Sequence, residues 1–208
     1  MPILRRSLLA AGATGLAAAT FPGRSARAAA TVGSPAPNFT ATDSDGHAVV
    51  LAALRGKIVV LEWTNDGCPF VGKWYRSGAM QALQKEAAQL GVVWLSIISS
   101  APGEQGYADG ARANQLTRDR GAAPAHVLLD PTGAVGHLYD AETTPQMFVI
   151  DAQGVVRYSG GADSIASSRE SDLAKATPYA KLAIEAVSAG KPVLFRVTRP
   201  YGCTVKYG

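Results

Sequence analysis

The chain has 208 residues, 47% hydrophobic and 17% charged, a balance that excludes intrinsic disorder and suits one globular domain with a sizeable core. The formal charge is +4, but Arg5, Arg6, Arg24 and Arg27 all fall in the first 28 residues, which hold no acid, so the remainder is neutral. A neutral body with scattered basic residues excludes an electrostatic footprint for nucleic acid or an anionic membrane.

The first segment reads as an export signal. Arg5-Arg6 precedes an apolar stretch from Ser7 to Thr20, and Ala26-Arg27-Ala28 follows. That is the order of positive region, apolar region and small-residue cleavage site. The apolar stretch is about fourteen residues, short of the ~20 that span a bilayer, so residues 1–28 are expected to be removed and no stable membrane insertion to remain. The paired arginines before Ser7-Leu8-Leu9 resemble a twin-arginine signal, and the expected location is the periplasm of a bacterium.

Thr31 to Pro37, with two prolines and a glycine, reads as an extended entry. Phe39 to Leu51 suits a hairpin turning at Asp43-Ser44-Asp45-Gly46. Ile58 to Trp63 is a nearly continuous apolar run between Gly56 and Asn65, the pattern of a strand buried on both faces. Cys68 and Pro69 follow, and a helix is expected from there to Leu90, with Met80, Leu83, Ala87 and Leu90 on one face and Gly72 and Gly78 inviting a break. Val92 to Ile98 is a second buried strand. Ser99 to Gly110 is a long loop of the kind that borders functional sites on α/β scaffolds.

A helix is expected over about 111–120, a short strand at Val127 to Leu129, and a hairpin of Gln146 to Asp151 with Val155 to Tyr158. Asp172 to Ala189 reads as one closing helix ending at Gly190. The order β, α, β, α, β, β, α makes an α/β sheet covered on both faces. The division is a domain over residues 31–190 and a C-terminal tail over 191–208 that carries Cys203.

Only two cysteines are present, Cys68 and Cys203. One bridge cannot frame a domain of this size, so the pair is a single staple or a redox couple. Cys68 lies between a buried strand and the first turn of a helix, where unpaired N–H groups and the helix dipole favour a thiolate. Pro69 suits the first helical position, which needs no N–H donor.

The segment Trp63 to Val71, together with Thr144-Pro145 ahead of Phe148 to Asp151, resembles the peroxiredoxin-like redoxins of the thioredoxin superfamily. The Cys-Pro-Phe-Val segment and the terminal Pro200 to Tyr207 are similar to an exported bacterial branch of alkyl hydroperoxide reductase and thiol-specific antioxidant domain proteins. The resemblance runs from about Gly33 to Tyr207. It implies a thioredoxin fold with a central mixed sheet, an N-terminal hairpin and a C-terminal tail. It implies thiol-dependent oxidoreductase activity on a peroxide or disulfide substrate, with a separate thiol electron donor and no cofactor. Cys68 matches the redox-active cysteine of such proteins, and Pro145 matches their cis-proline.

The departures are specific. Val71 stands where thioredoxins place a second cysteine, so no local dithiol can form. Asn65 and Leu61 stand where typical peroxiredoxins have threonine and proline, and their arginine has no clear equivalent. Thr64 and Asn65 are candidates either to hydrogen-bond a bound substrate or to cap the Cys68 helix. Cys203, 135 positions after Cys68, has three readings: a resolving thiol on a mobile tail, a structural staple, or a thiol that pairs between chains. The alternative function is a non-catalytic binder such as a copper chaperone, which the missing local cysteine pair disfavours. His47, His126 and His137 lack metal-ligand spacing, so no metal site is expected. Trp63, Trp74 and Trp94 follow core patterns. The exported protein is expected to begin near Ala29, which N-terminal sequencing checks; a start at Met1 would refute the signal.

Overall fold

The computed structural model describes residues 30–208, so the expected signal lies outside the described residues. The sheet is organised around β3 (Val59–Trp63). Its neighbours on one side are β4 (Val93–Ile98) and then β5 (His126–Leu129), both parallel. On the other side lie β7 (Gln146–Ile150) and then β8 (Val156–Gly160), each antiparallel to the strand before it. The expected hairpin, β1 (Thr40–Asp43) with β2 (Ala48–Val50), extends the same sheet beyond β5. The connections are right for parallel pairs, since β3 to β4 runs through two helices and β4 to β5 through α3 (Gly110–Arg120).

Alternation along β3 distributes two cores. Val59, Leu61 and Trp63 face a cluster with Phe39, Leu95, Ile97, Phe148 and the helix α4 (Ala134–Tyr139). Val60 faces the opposite cluster, built from α1 (Pro69–Arg76), α2 (Ala79–Gln89) and α5 (Tyr179–Ser188). Every residue of β3 is buried, as its nearly continuous apolar pattern requires. Trp74 and Trp94 join the second cluster, so all three tryptophans are core.

Glu62 is the exception in that run. It is completely buried among donors: Tyr75 Oη at 2.8 Å, Trp94 Nε1 at 2.8 Å, Ser96 Oγ at 2.9 Å and Gln84 Nε2 at 3.3 Å. Burial pushes its carboxyl above the ordinary value, against the hydrogen bonds from Trp94, Tyr75 and Ser96. These partners come from α1, α2 and β4, so one polar group ties both helices to the sheet.

The break invited in the helix after Cys68 falls at Gly78, whose φ of +77° lets the chain turn between α1 and α2. Other elements differ from the sequence reading. The single closing helix expected over 172–189 is two pieces, a 3₁₀ segment Glu170–Lys175 and α5. Pro178 separates them, because a proline disfavours helical backbone in the residue before it. A strand pair escaped the sequence: β6 (Thr143–Thr144) and β9 (Cys203–Thr204) form a separate two-stranded sheet. No helix among the described residues is long and apolar enough to cross a membrane.

Phe148 is 1% exposed and packs edge-on against Trp63 and Tyr139, with centroids at 5.5 and 5.3 Å. Phe148→Ala is therefore expected to lower unfolding free energy by about 3–5 kcal/mol in a urea titration, because the sheet flanking it cannot collapse into the void.

Candidate functional site

Strand β3 ends at Trp63, and five residues later the chain enters α1. Cys68 is the N-cap residue, with extended backbone, and Pro69 is the first helical position. The Cys68 carbonyl accepts from Gly72 N at 2.8 Å, the first bond of the helix. Neither Thr64 nor Asn65 caps this helix: the Thr64 hydroxyl has no hydrogen bond, and the Asn65 amide bonds Gly67 and Gln105. The capping role considered for Thr64 and Asn65 is therefore not the one they play.

Asn65 shapes the loop instead. Its Oδ1 accepts from Gly67 N at 2.8 Å and its carbonyl accepts from Cys68 N at 3.2 Å. Its Nδ2 donates to Gln105 O at 3.1 Å, and Gln105 Nε2 donates back to Gly67 O at 3.2 Å. The long loop 99–110 thus braces the approach to Cys68. Gly106 is required there, since with φ of +87° any Cβ would overlap the Asn65 amide. Thr64 is buried, with its Oγ1 free of any hydrogen bond. Neither Gln105 nor Gly106 carried a signal in the sequence beyond belonging to a long loop.

The wall facing Cys68 is Thr144. The Thr144–Pro145 peptide bond is cis, and the Thr144 carbonyl lies 3.1 Å from Cys68 Sγ. Thr144 is also the residue on which the tail docks: Cys203 is its Cα partner in the β6–β9 pair. The tail cannot approach this closely with any side chain at 202. Gly202, at φ +141°, leaves no room for a Cβ beside the Thr144 carbonyl.

The mobile tail expected from sequence is thus a docked one. Ala101 N donates to Lys206 O at 2.8 Å, Val205 N to Glu142 O at 2.9 Å, and Tyr207 Oη to Ala141 O at 2.7 Å. Tyr207 also stacks on His137 at 4.0 Å between centroids. Nearer the cysteines, Tyr201 meets Phe70 edge-on at 5.8 Å and accepts from Lys73 Nζ at 2.8 Å. Lys73, in α1, is fully buried and paired with Asp163 at 2.9 Å.

This docking brings Cys68 and Cys203 side by side as two free thiols, Cys68 buried and Cys203 half-buried. Their acidities diverge. Burial pushes Cys68 up, but hydrogen bonds from the Thr144 and Cys203 side chains and from the amides of Val71 and Cys203 outweigh it, so the thiol is held below its ordinary value. Burial and then the neighbouring Cys68 sulfur push Cys203 up to about 11. Cys68 is thereby the more acidic of the two thiols.

The histidines stand apart from the cysteines. His47 follows the β1–β2 turn, His126 Nδ1 lies 2.9 Å from Asp43 Oδ2, and His137 lies under Tyr207. Asp43, Asp45 and His47 bring ligand atoms within 4.8 Å of one another. Asp43 Oδ1 already accepts from the Asp45 and His47 amides, at 3.0 and 2.8 Å.

No curated protein matches the sequence. Among solved structures, the chain is similar to a hypothetical protein from Sinorhizobium meliloti at 22% identity and a TM-score of 0.72, over 87% of this chain and 97% of that one. An uncharacterized conserved protein from Geobacillus kaustophilus has the same identity and TM-score, over 86% and 93%. Peroxidoxin BcpB from Mycobacterium tuberculosis is 18% identical with a TM-score of 0.54, over 76% and 98%. At these identities the likeness is one of fold, the thioredoxin fold. The AhpC/TSA family model matches residues 32–159, which take in β3, Cys68, the cis-proline and most of β8. On that match over more than half its length, the chain belongs to the AhpC/TSA family, the thiol-dependent redoxins of the thioredoxin superfamily.

Proposed function

We propose that this chain is a thiol oxidoreductase that cycles between a Cys68–Cys203 dithiol and the corresponding disulfide, reducing a peroxide or a disulfide at Cys68. The observation that carries the reading is the pairing of Cys203 with Thr144, the residue whose carbonyl faces the Cys68 sulfur, and the opposite directions in which the two thiols are shifted support it. The Cys68 thiolate is the attacking group, because only the anion is a competent nucleophile. With a peroxide, it takes one oxygen and becomes a sulfenic acid while the alcohol or water leaves. The Cys203 thiol then attacks that sulfur, forms the S–S bond and releases water. With a disulfide, Cys68 forms a mixed disulfide that Cys203 resolves, releasing the second substrate thiol. An external thiol donor reduces the bridge and restores both cysteines.

Cys203 next to Cys68 in the reduced protein favours this role over pairing between chains. It also removes the need for the tail to swing before resolution. The Asn65 amide is committed to Gly67 and Gln105 and the Thr64 hydroxyl is buried, so substrate positioning falls to the amides at the helix N-terminus. Residues 1–28 would deliver this activity to the periplasm, where a thiol couple can turn over between its two states.

The redox cycle has a direct readout in mass. One equivalent of hydrogen peroxide is expected to remove two hydrogens from the wild-type protein, whereas Cys203→Ser is expected to gain one oxygen and to stall unless a small thiol is added. Cys68→Ser is expected to consume no peroxide and exchange no disulfide. Wild-type turnover in Cys68→Ser, or normal cycling of Cys203→Ser without added thiol, would overturn the respective assignment.

The acidity difference is tested by alkylation. The rate at which iodoacetamide labels Cys68 is expected to rise with a midpoint below the ~8.5 of a free thiol. Cys203→Ala removes one of the hydrogen bonds that stabilise the anion, so its midpoint is expected to move up. A midpoint that stays where it was would mean that Cys203 does not poise Cys68.

A further inference from the structure

Lys73 lies five residues past Cys68 on α1, fully buried, and each of its three ammonium protons has an acceptor. They go to Asp163 Oδ2 at 2.9 Å, the Tyr201 hydroxyl at 2.8 Å and the Ile165 carbonyl at 3.3 Å. Asp163 is 1% exposed and follows β8. The ammonium also lies 5.1 Å from the Tyr201 ring centroid, and Phe70 covers another edge of that ring. A buried ion pair is poor evidence for stability, because desolvating two charges offsets most of their attraction. Its distinctive property is direction, and here the third partner is a tail residue.

The distances match a purpose. Five residues of α-helix advance about 7.5 Å, and two residues of extended chain span about 7 Å. Tyr201 is two residues before Cys203. A tail fastened at Lys73 and running back along α1 therefore brings Cys203 opposite Cys68. The β6–β9 pairing sets the tail against Thr144, and the Lys73 contact sets its position along the helix.

We propose that Lys73, Asp163 and Tyr201 form a positioning latch that holds the Cys203 sulfur within bonding reach of Cys68. This rests on the redox reading above. The step it assists is attack of the Cys203 thiol on an oxidised Cys68: for the sulfenic acid, the S–S bond forms, the S–O bond breaks, and the Cys203 proton leaves with the hydroxyl as water. The latch touches neither reacting atom and acts by raising the effective concentration of one thiol at the other.

The test equilibrates the purified chain in glutathione buffers, where the bridge plus two glutathione thiols exchange with the dithiol plus one glutathione disulfide, and reads the bridged fraction by mass. Tyr201→Phe keeps the ring and deletes the hydroxyl. It is expected to lower the effective concentration about tenfold, equivalent to about 1.4 kcal/mol, near the lower end for a hydrogen bond to a charged group. In a Cys203→Ser background, the rate of first oxidation of Cys68 by peroxide is expected to stay within about twofold when Tyr201→Phe is added, a pattern that general loosening of the fold would not give. The double variant Lys73→Met, Asp163→Leu removes the latch from the other side without leaving an unpaired buried charge, and is expected to lower the same effective concentration, which keeps the test decisive if Tyr201→Phe does not fold. An effective concentration unchanged in Tyr201→Phe, or in the double variant where Tyr201→Phe does not fold, overturns the latch. A wild-type protein that forms no bridge at any glutathione ratio overturns the redox reading itself.

Discussion

Everything about this site depends on Thr144 being presented to two segments at once. Its carbonyl faces the Cys68 sulfur, and its backbone pairs with Cys203. A strand of two residues could not hold a tail by its own hydrogen bonds, since isolated two-stranded pairs are marginal in water. What holds it is the burial around it: Tyr201 against Phe70 and Lys73 on one side, Tyr207 against His137 on the other. The absent Cβ of Gly202 is the geometric condition, because without it the tail backbone could not come down onto the Thr144 carbonyl.

The surrounding scaffold is arranged so that α1 cannot drift relative to that wall. Tyr75, two turns past Cys68, donates to Glu62 in the middle of the sheet, and Glu62 draws in α2 and β4 through Gln84, Trp94 and Ser96. Arg120 lies over the Tyr75 ring at 4.7 Å and pairs with Asp66 in the loop before Cys68, joined there by Arg112 at 3.0 Å. The exposed part of this network adds little stability on its own. Its buried part fixes the helix whose N-terminus poises the thiol, and precise placement of a reacting atom is worth more than the bonds that achieve it.

Most elements of the fold were legible because the central strands β3, β4 and β7 carry nearly continuous apolar runs and α2 an apolar stripe. Cys68 was legible for a local reason, its place between such a strand and a proline at the first helical position. The rest of the site was less so, because its contacts join residues far apart. Nothing near Tyr201 signals that Lys73 waits for it, and a lone helical lysine reads as surface until a carboxylate 90 positions away is brought beside it. Glu62 was hidden in an otherwise apolar strand, and Gln105 in a loop without pattern. The tail misled most: terminal segments are generally mobile, and only the tertiary contacts of residues 201–207 pin this one. The single closing helix failed for a plainer reason, since Pro178 was in view and the helical periodicity was allowed to run across it.

The span between the two sulfurs has a thermodynamic side. A bridge from Cys68 to Cys203 would close a loop holding most of the folded domain, and in the chain-entropy account a loop of this length removes about 5 kcal/mol of freedom from the unfolded chain. That is comparable to the whole folding stability of many domains. A thioredoxin-type pair three residues apart would restrict the unfolded chain far less, because the effect grows with loop length. Oxidation and reduction of this protein would then alternate between a tightly and a loosely stabilised fold, so its redox state would be written in its resistance to heat and proteolysis as well as in its thiols.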